Sequence, residues 1–366
     1  MTTATIKSAS EYSLLGRSGL RVSPFCLGTM TFGTDWGWGT DEVGARQILA
    51  RYLDSGGNFV DTADVYTNGK SEELVGKLLK ERGDRDRVVL ATKFSFGTRS
   101  ADPNGGGNSR KHIRQALEGS LRRMQTDYVD LYWLHAWDSL TPVREVMSTL
   151  DDLVREGLVR YIGFSDVPAW YLAQAQTLAD LRGSERLCAL QVEYSLLERN
   201  VEREHIPAAF ELGTGVCPWG PLASGMLTGK YRRSGTQPAG DGRLRVTKES
   251  GHPVVTKLFT ERSWKIVDTL IGVAKELGRA PAQVAINWVA NRPGVTSTLL
   301  GATKVEQLED TLHALEFEIP APLTAKLEEA GRPDSVFPYF FFEPATRADM
   351  FSGGTAVRRE PPHFRA

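Results

Sequence analysis

One recurrence limits what this chain can fold into. A short apolar run, a turn and a stretch with helical spacing follow one another until eight strand-like runs are counted. They lie at residues 24–30, 58–61, 88–92, 128–134, 159–164, 187–191, 215–219 and 295–300. Helical signals fall between them. Asp41 reads as the N-cap of a helix carrying Val43, Ile48 and Leu49. The helix from Ser109 sets Ile113, Leu117, Leu121 and Met124 on one face at spacings of four, four and three. Thr141-Pro142 reads as an N-cap with proline at the first helical position, and Gly157 ends that helix. Such alternation argues for a parallel sheet, and eight repeats point to a closed (β/α)8 barrel. Periodicity alone leaves an open doubly wound sheet in play. No G-x-G-x-x-G follows a strand, which weakens the dinucleotide-fold version of that sheet.

Three successive strand ends carry titratable groups. Asn58-Phe59-Val60 ends in Asp61, and Tyr66 follows in the loop before a helix that Ser71 is expected to cap, with Glu72 and Glu73 in its first turn. Residues 88–92 run into Lys93, and residues 128–134 run into His135. In parallel α/β proteins this edge is where ligands bind.

The motifs Asp61-Thr62-Ala63-Asp64-Val65-Tyr66, Ala91-Thr92-Lys93 and Asp130-Leu131-Tyr132-Trp133-Leu134-His135 closely resemble those of the aldo-keto reductases in order and spacing. The resemblance covers about residues 11–330. It implies a (β/α)8 TIM barrel with an N-terminal hairpin, residues 11–22, closing the bottom, and long C-terminal loops at the mouth. One barrel domain is expected, with residues 331–366 as its tail. The resemblance also implies a catalytic tetrad of Asp61, Tyr66, Lys93 and His135, and NADP(H) as cofactor.

In Gly163-Phe164-Ser165-Asp166, the family's serine and its neighbour hold the nicotinamide carboxamide, and Gln191 completes the grip. The family usually has Asn where Asp166 stands; a carboxylate accepts from the amide NH2 but cannot donate to its oxygen. Trp219 is the residue expected to stack on the nicotinamide. The stretch Gly220-Pro221-Leu222-Ala223-Ser224-Gly225 approaches the pyrophosphate, with Lys230 supplying positive charge. Thr29 and Met30, after the first strand, join the cofactor set. Gly301-Ala302-Thr303-Lys304 opens a helix N-terminus suited to an anion. Thr303 and Lys304 are assigned to the 2′-phosphate and Gln307 and Asp310 to the adenosine end, with Thr311 also in the cofactor set. NADP over NAD rests mainly on Lys304.

The implied reaction is NADPH-dependent reduction of an aldehyde or ketone. Tyr66 is the general acid, its pKa lowered by Lys93; Asp61 holds Lys93, and His135 orients a small-molecule carbonyl substrate. Trp36, Phe94, Trp133, Trp137 and Phe164 are expected to line the mouth beside Tyr66 and His135, with Phe337 or Tyr339 reaching over it. Such walls suit an aromatic, sugar-like or other bulky carbonyl. The β subunits of voltage-gated potassium channels share fold and motifs, which gives the alternative of a nucleotide-sensing regulatory subunit. They carry Asn where His135 stands. A homo-oligomer is compatible with the resemblance, since related chains form tetramers or larger rings.

Composition narrows the partners. Net charge is −1 over 366 residues, which gives no case for nucleic acid or an anionic membrane. No run approaches the ~20 apolar residues of a spanning helix. The N-terminus lacks a signal-peptide core, and Cys26, Cys188 and Cys217 sit in apolar runs at no metal-ligand spacing. A cytoplasmic protein with reduced core thiols and no metal is expected. Residues 232–262, rich in Gly and Pro, break the rhythm and read as a lid or a mobile insert. The tail holds Phe337-Pro338-Tyr339-Phe340-Phe341-Phe342, expected to pack on the barrel mouth or across a subunit interface, and residues 358–362 read as disordered.

Overall fold

A computed structural model describes residues 8–234, 237–239 and 258–355. Each apolar run becomes a strand and each amphipathic run a helix outside it. The barrel strands are β3 (Phe25–Gly28), β4 (Phe59–Asp61), β5 (Val89–Phe94), β6 (Val129–Leu134), β7 (Val159–Ser165), β8 (Leu187–Glu193), β9 (Gly215–Trp219) and, after two short strands β10 (Arg232–Ser234) and β11 (Gln237–Ala239), β12 (Thr298–Leu300). Their order is β12-β3-β4-β5-β6-β7-β8-β9, every neighbouring pair parallel. Between β9 and the approach to β12, Thr296 N–H donates to the Val216 carbonyl at 2.8 Å and Val216 N–H to the Gly294 carbonyl at 3.2 Å, closing the ring. The architecture is a (β/α)8 TIM barrel. Helices α1 (Glu42–Asp54), α2 (Lys70–Arg82), α3 (Arg110–Met124), α4 (Val143–Arg155), α5 (Ala169–Arg182) and α6 (His205–Leu212) follow β3 to β8 in turn.

Period-two alternation divides the core. Cys26, Phe59, Ala91, Leu131, Trp133, Cys188, Ala189, Cys217 and Leu299 belong to one cluster, inside the barrel. The other set, from Leu27, Val60 and Leu90 to Phe94, Leu134 and Phe164, packs against the helices. The cysteines are buried and unpaired, as expected of reduced core residues.

The N-terminal hairpin of β1 (Ser13–Leu14) and β2 (Arg21–Val22) sends Leu15 and Val22 into the inner cluster, so it plugs the end of the barrel opposite the strand C-termini. Gly16, at φ 60°, makes this possible: a Cβ there would lie 2.3 Å from the Cys188 carbonyl oxygen.

Asp41 caps α1 by accepting from Gly44 N–H at 2.9 Å, and Ser109 caps α3. Two caps differ from expectation. Ser71 lies inside α2, which starts at Lys70 after a left-handed Gly69. Its hydroxyl is drawn inward, donating to the Thr29 carbonyl at 2.7 Å and meeting the Thr29 and Thr62 hydroxyls at 2.8 and 2.9 Å. For α4 the boundary shifts by one: Pro142 takes the N-cap place, and Thr141 instead donates its hydroxyl to Asp138 Oδ2 at 2.6 Å.

Of the segment 232–262, most lies outside the described residues, as do residues 358–362. In the tail, Tyr339 engages the barrel side, its hydroxyl donating to Glu204 with Arg203 5.8 Å from its ring centre, and the Asp334 carbonyl accepts from Arg203 at 2.6 Å. Phe337 is 79% exposed, so the expected packing of that ring on the mouth is not found.

Candidate active site

The C-terminal rim of β4, β5 and β6 brings the four titratable side chains together. Inward-pointing Lys93 is fully buried. Its Nζ donates to Asp61 Oδ2, to the Thr62 carbonyl at 2.8 Å and to the Tyr66 hydroxyl oxygen at 3.1 Å. Three acceptors use all three N–H bonds of an ammonium, and a neutral amine has only two. The arrangement suits the charged lysine, which the Asp61 carboxylate favours. Burial works against that charge, but Asp61 and Tyr66 together hold the Lys93 pKa above its ordinary value. Burial likewise pushes the Asp61 carboxyl up, opposed by the Lys93 ammonium and by Gln191, whose Nε2 donates to Asp61 Oδ1 at 3.3 Å.

Tyr66 reaches this ammonium through a strained turn. Thr67 and Asn68 follow it at φ 46° and 56°, then Gly69 at 89°. Left-handed backbone at a β-branched residue costs on the order of 1–3 kcal/mol; the Thr67 hydroxyl holds the turn by donating to the Phe32 carbonyl at 2.8 Å. Burial raises the Tyr66 phenol above its ordinary value, outweighing the opposite pull of Lys93. The expected net lowering is thus reversed, because a buried phenolate loses more solvation than one ammonium restores. At neutral pH the phenol keeps its proton. Lys93 donates to its oxygen, so the O–H is free to turn toward the mouth.

His135 completes the group, its ring centre 5.7 Å from that of Tyr66 in an edge-to-face contact. Burial and then Lys93 hold its pKa well below the ordinary value, so the imidazole is neutral. A neutral ring carries one N–H donor and one acceptor.

The residues assigned to a nicotinamide nucleotide lie along the adjoining rim. The Ser165 hydroxyl is buried at the end of β7 beside the Asp166 carboxyl, with no well-aligned hydrogen bond among the described residues, a polar atom that fits an amide-bearing ring. Asp166, at φ 46°, accepts from Trp219 Nε1–H at 3.0 Å; burial pushes its carboxyl up to about 6, against that bond. After Trp219 the backbone turns left-handed at Gly220, Ala223, Ser224 and Gly225, a conformation that gathers N–H groups toward an anion. Pro221 is buried and Leu222 half-buried within that stretch. Burial lowers the Lys230 pKa; its Nζ lies 5.1 Å from the Tyr231 ring centre. Thr29 is buried, its hydroxyl donating to the Asp61 carbonyl at 3.0 Å, and Met30 is half-buried. Beyond β12, Gly301 and Lys304 are exposed, and Lys304 stands at the N-cap of the helix Val305–Leu312.

Four residues assigned in that last stretch, Thr303, Gln307, Asp310 and Thr311, have partners of their own. Gln307 Oε1 accepts from Thr303 N–H at 2.9 Å and from its hydroxyl at 3.1 Å. Asp310 Oδ1 accepts from Gln283 Nε2 at 2.8 Å. Thr311 turns its hydroxyl back to the Leu308 carbonyl at 2.9 Å, within its own helix.

Two mouth residues need correction. Phe94 follows inward-pointing Lys93, so it faces outward and packs on Tyr132 at 4.9 Å between ring centres. Phe164 follows inward-pointing Gly163 and stacks on Tyr171 at 5.7 Å. Trp133 is wholly buried inside the barrel. Trp36 is half-buried in the loop after β3, paired with Trp38 at 5.7 Å, and Trp137 is half-buried beside Trp170. Sequence reasoning missed Phe96, whose ring centre lies 4.5 Å from that of His135. Phe96 lies two residues past the end of β5, where strand alternation no longer fixes the side-chain direction, so the sequence offered no signal for it.

A barrel whose rim joins a phenol, an ammonium, a carboxylate and a neutral imidazole is the framework of an oxidoreductase that handles carbonyls. The chain belongs to the Aldo/keto reductase family, whose model matches residues 24–332. It is similar to the Bacillus subtilis protein named uncharacterized oxidoreductase YrpG, at 40% identity over 87% of this chain and 95% of that one. It is also similar to a probable voltage-gated potassium channel subunit beta of Oryza sativa subsp. japonica, at 38% identity over 84% and 91% of the two chains. The aryl-alcohol dehydrogenase [NADP(+)] of Phanerodontia chrysosporium is 32% identical over 88% of this chain and 86% of its own. Members of the family use nicotinamide cofactors. Among the described residues, no helix is long and apolar enough to cross a membrane.

Proposed function

We propose that the protein is an NADPH-dependent reductase of aldehydes or ketones, with Tyr66 as general acid. The observation that carries this reading is the shell of Lys93, where an ammonium divides its three donors among Asp61, the Thr62 carbonyl and the Tyr66 oxygen. The protonated phenol is directed at the oxygen of a carbonyl. As that oxygen gains negative charge, Tyr66 gives up its proton, and Lys93 meets the resulting phenolate with a charge already in place. Asp61 neutralises Lys93 while the phenol is intact. His135, held neutral, offers an N–H donor to the same carbonyl oxygen.

Ser165, Asp166, Gln191 and Trp219 would hold the nicotinamide end, the stretch from Gly220 to Gly225 with Lys230 the pyrophosphate, and Thr303 with Lys304 the 2′-phosphate. When bound, the reduced cofactor supplies the hydride. The name of the Phanerodontia relative, aryl-alcohol dehydrogenase [NADP(+)], supports both the phosphorylated nucleotide and an aryl substrate. The channel-subunit reading is weaker here, since an imidazole, His135, stands where those subunits carry Asn.

The test is a fluorescence titration with NADPH, followed by a panel of aldehydes, quinones and keto-sugars monitored at the cofactor absorbance. NADPH binding with turnover of a carbonyl is expected. A protein that binds no nicotinamide nucleotide would sink the proposal, and one that binds NADPH but reduces nothing would favour the regulatory reading.

A further inference from the structure

The mouth holds an aromatic ring whose exposure is at odds with its neighbours. Phe96 is 44% exposed, yet it rests on His135, which is buried. The local chain holds it there. Ser95, at φ 128°, turns its hydroxyl oxygen to accept from His135 N–H at 3.2 Å and from Ala136 N–H at 3.4 Å. Its carbonyl accepts from Gly107 N–H at 2.7 Å, which folds the following loop back on itself. The end of β5 is thereby bonded to the end of β6, and the residue after Ser95 is fixed beside the imidazole. A phenylalanine held in place with one face uncovered costs free energy in water.

A second uncovered aromatic stands further along the same rim. Trp170, 55% exposed, meets Trp137 edge-to-face at 5.4 Å, and Trp137 N–H donates to the Asp166 carbonyl at 3.4 Å.

We propose that Phe96 is a specificity-determining residue whose ring stacks on the ring of an aryl carbonyl, selecting flat aromatic aldehydes and ketones over saturated ones of the same size. This rests on the carbonyl-reductase reading and adds a residue and a substrate shape to it. A carbonyl carried on a flat ring, with its oxygen between Tyr66 and His135, brings that ring against Phe96. Offset or edge-to-face pairs of this kind favour the aromatic partner. A saturated ring has no π face to offer and gains contact area alone.

The test compares benzaldehyde with cyclohexanecarbaldehyde, which match in carbon skeleton and differ in flatness. Wild type, Phe96→Leu and Phe96→Tyr are assayed with saturating NADPH, and the ratio of kcat/KM for the two aldehydes is the readout. Phe96→Leu is expected to lower the aryl-to-saturated ratio about three- to tenfold, mostly through KM, and Phe96→Tyr to restore it. In parallel, binding of benzyl alcohol to the protein with NADP+ is followed by tryptophan fluorescence. Phe96→Leu should weaken it by the same factor. If the protein binds the alcohol through Phe96 but turns over no carbonyl, the reductase reading fails while the aryl site stands. If it reduces carbonyls and Phe96→Leu leaves the ratio unchanged, or lowers both aldehydes equally, the assignment of Phe96 is overturned.

Discussion

Replacing Lys93 by methionine tests the buried ion pair that organises the site. The two partners are 0% and 1% exposed at their side chains. Methionine keeps much of the lysine stem but removes the charge and three donors. Asp61 is then left in the barrel with the Gln191 amide as its remaining side-chain partner among those described above. Breaking one side of such a pair costs about 3–5 kcal/mol, because a buried charge loses its compensation. Urea unfolding at pH 7, read by tryptophan fluorescence, should show a loss of that size. The double variant Lys93→Met/Asp61→Asn should recover most of it, since both charges are then gone.

The pH dependence of that loss has a definite sign. Without the ammonium, burial sets the folded Asp61 pKa above its unfolded value of about 3.9. The deficit should therefore be largest at high pH and shrink as pH falls and the carboxyl protonates. Wild-type stability in the single variant at pH 7, or a deficit that grows on acidification, would refute the reasoning.

Two further perturbations probe other parts of the molecule. Lys304→Glu should weaken NADPH binding at least tenfold more than NADH binding in fluorescence titrations, and equal loss for both would remove Lys304 from the 2′-phosphate site. Asp64 is buried, and burial together with Glu72 pushes its carboxyl up to about 8, against Arg123 and the Val65 N–H. Because the folded value exceeds the unfolded ~3.9, its contribution is full below about pH 4 and is lost as pH rises through 8. Asp64→Asn should thus gain unfolding free energy relative to wild type between pH 5 and 8, and parallel pH profiles would contradict this.

The barrel and the four convergent groups were legible in the chain because each depends on local order. An apolar run ending in Asp61, Lys93 or His135 fixes both the strand and the end at which its side chain emerges. Features set by distant partners were not legible. Ser71 has the composition of a cap, but the Thr29 and Thr62 hydroxyls bind it into the barrel top. Asp310 reads as an open acceptor until the packing of Gln283 against it is known. The direction of the Tyr66 shift required the burial of the phenol as well as its distance to Lys93. Phe94 was misplaced although alternation already argued against it, since its neighbour Lys93 had been assigned to the interior. Phe96 lies beyond the strand, where period two gives way to turn geometry, and its neighbour His135 comes from another strand.

The central claim is that the Tyr66 proton passes to the carbonyl oxygen. The most direct measurement is single-turnover oxidation of bound NADPH by benzaldehyde in wild type and Tyr66→Phe, with NADPH affinity titrated alongside. The account predicts NADPH affinity within about twofold of wild type and a rate constant lower by at least the 100-fold that a positioned acid typically contributes. An unchanged rate in Tyr66→Phe, with NADPH bound as tightly, would contradict it.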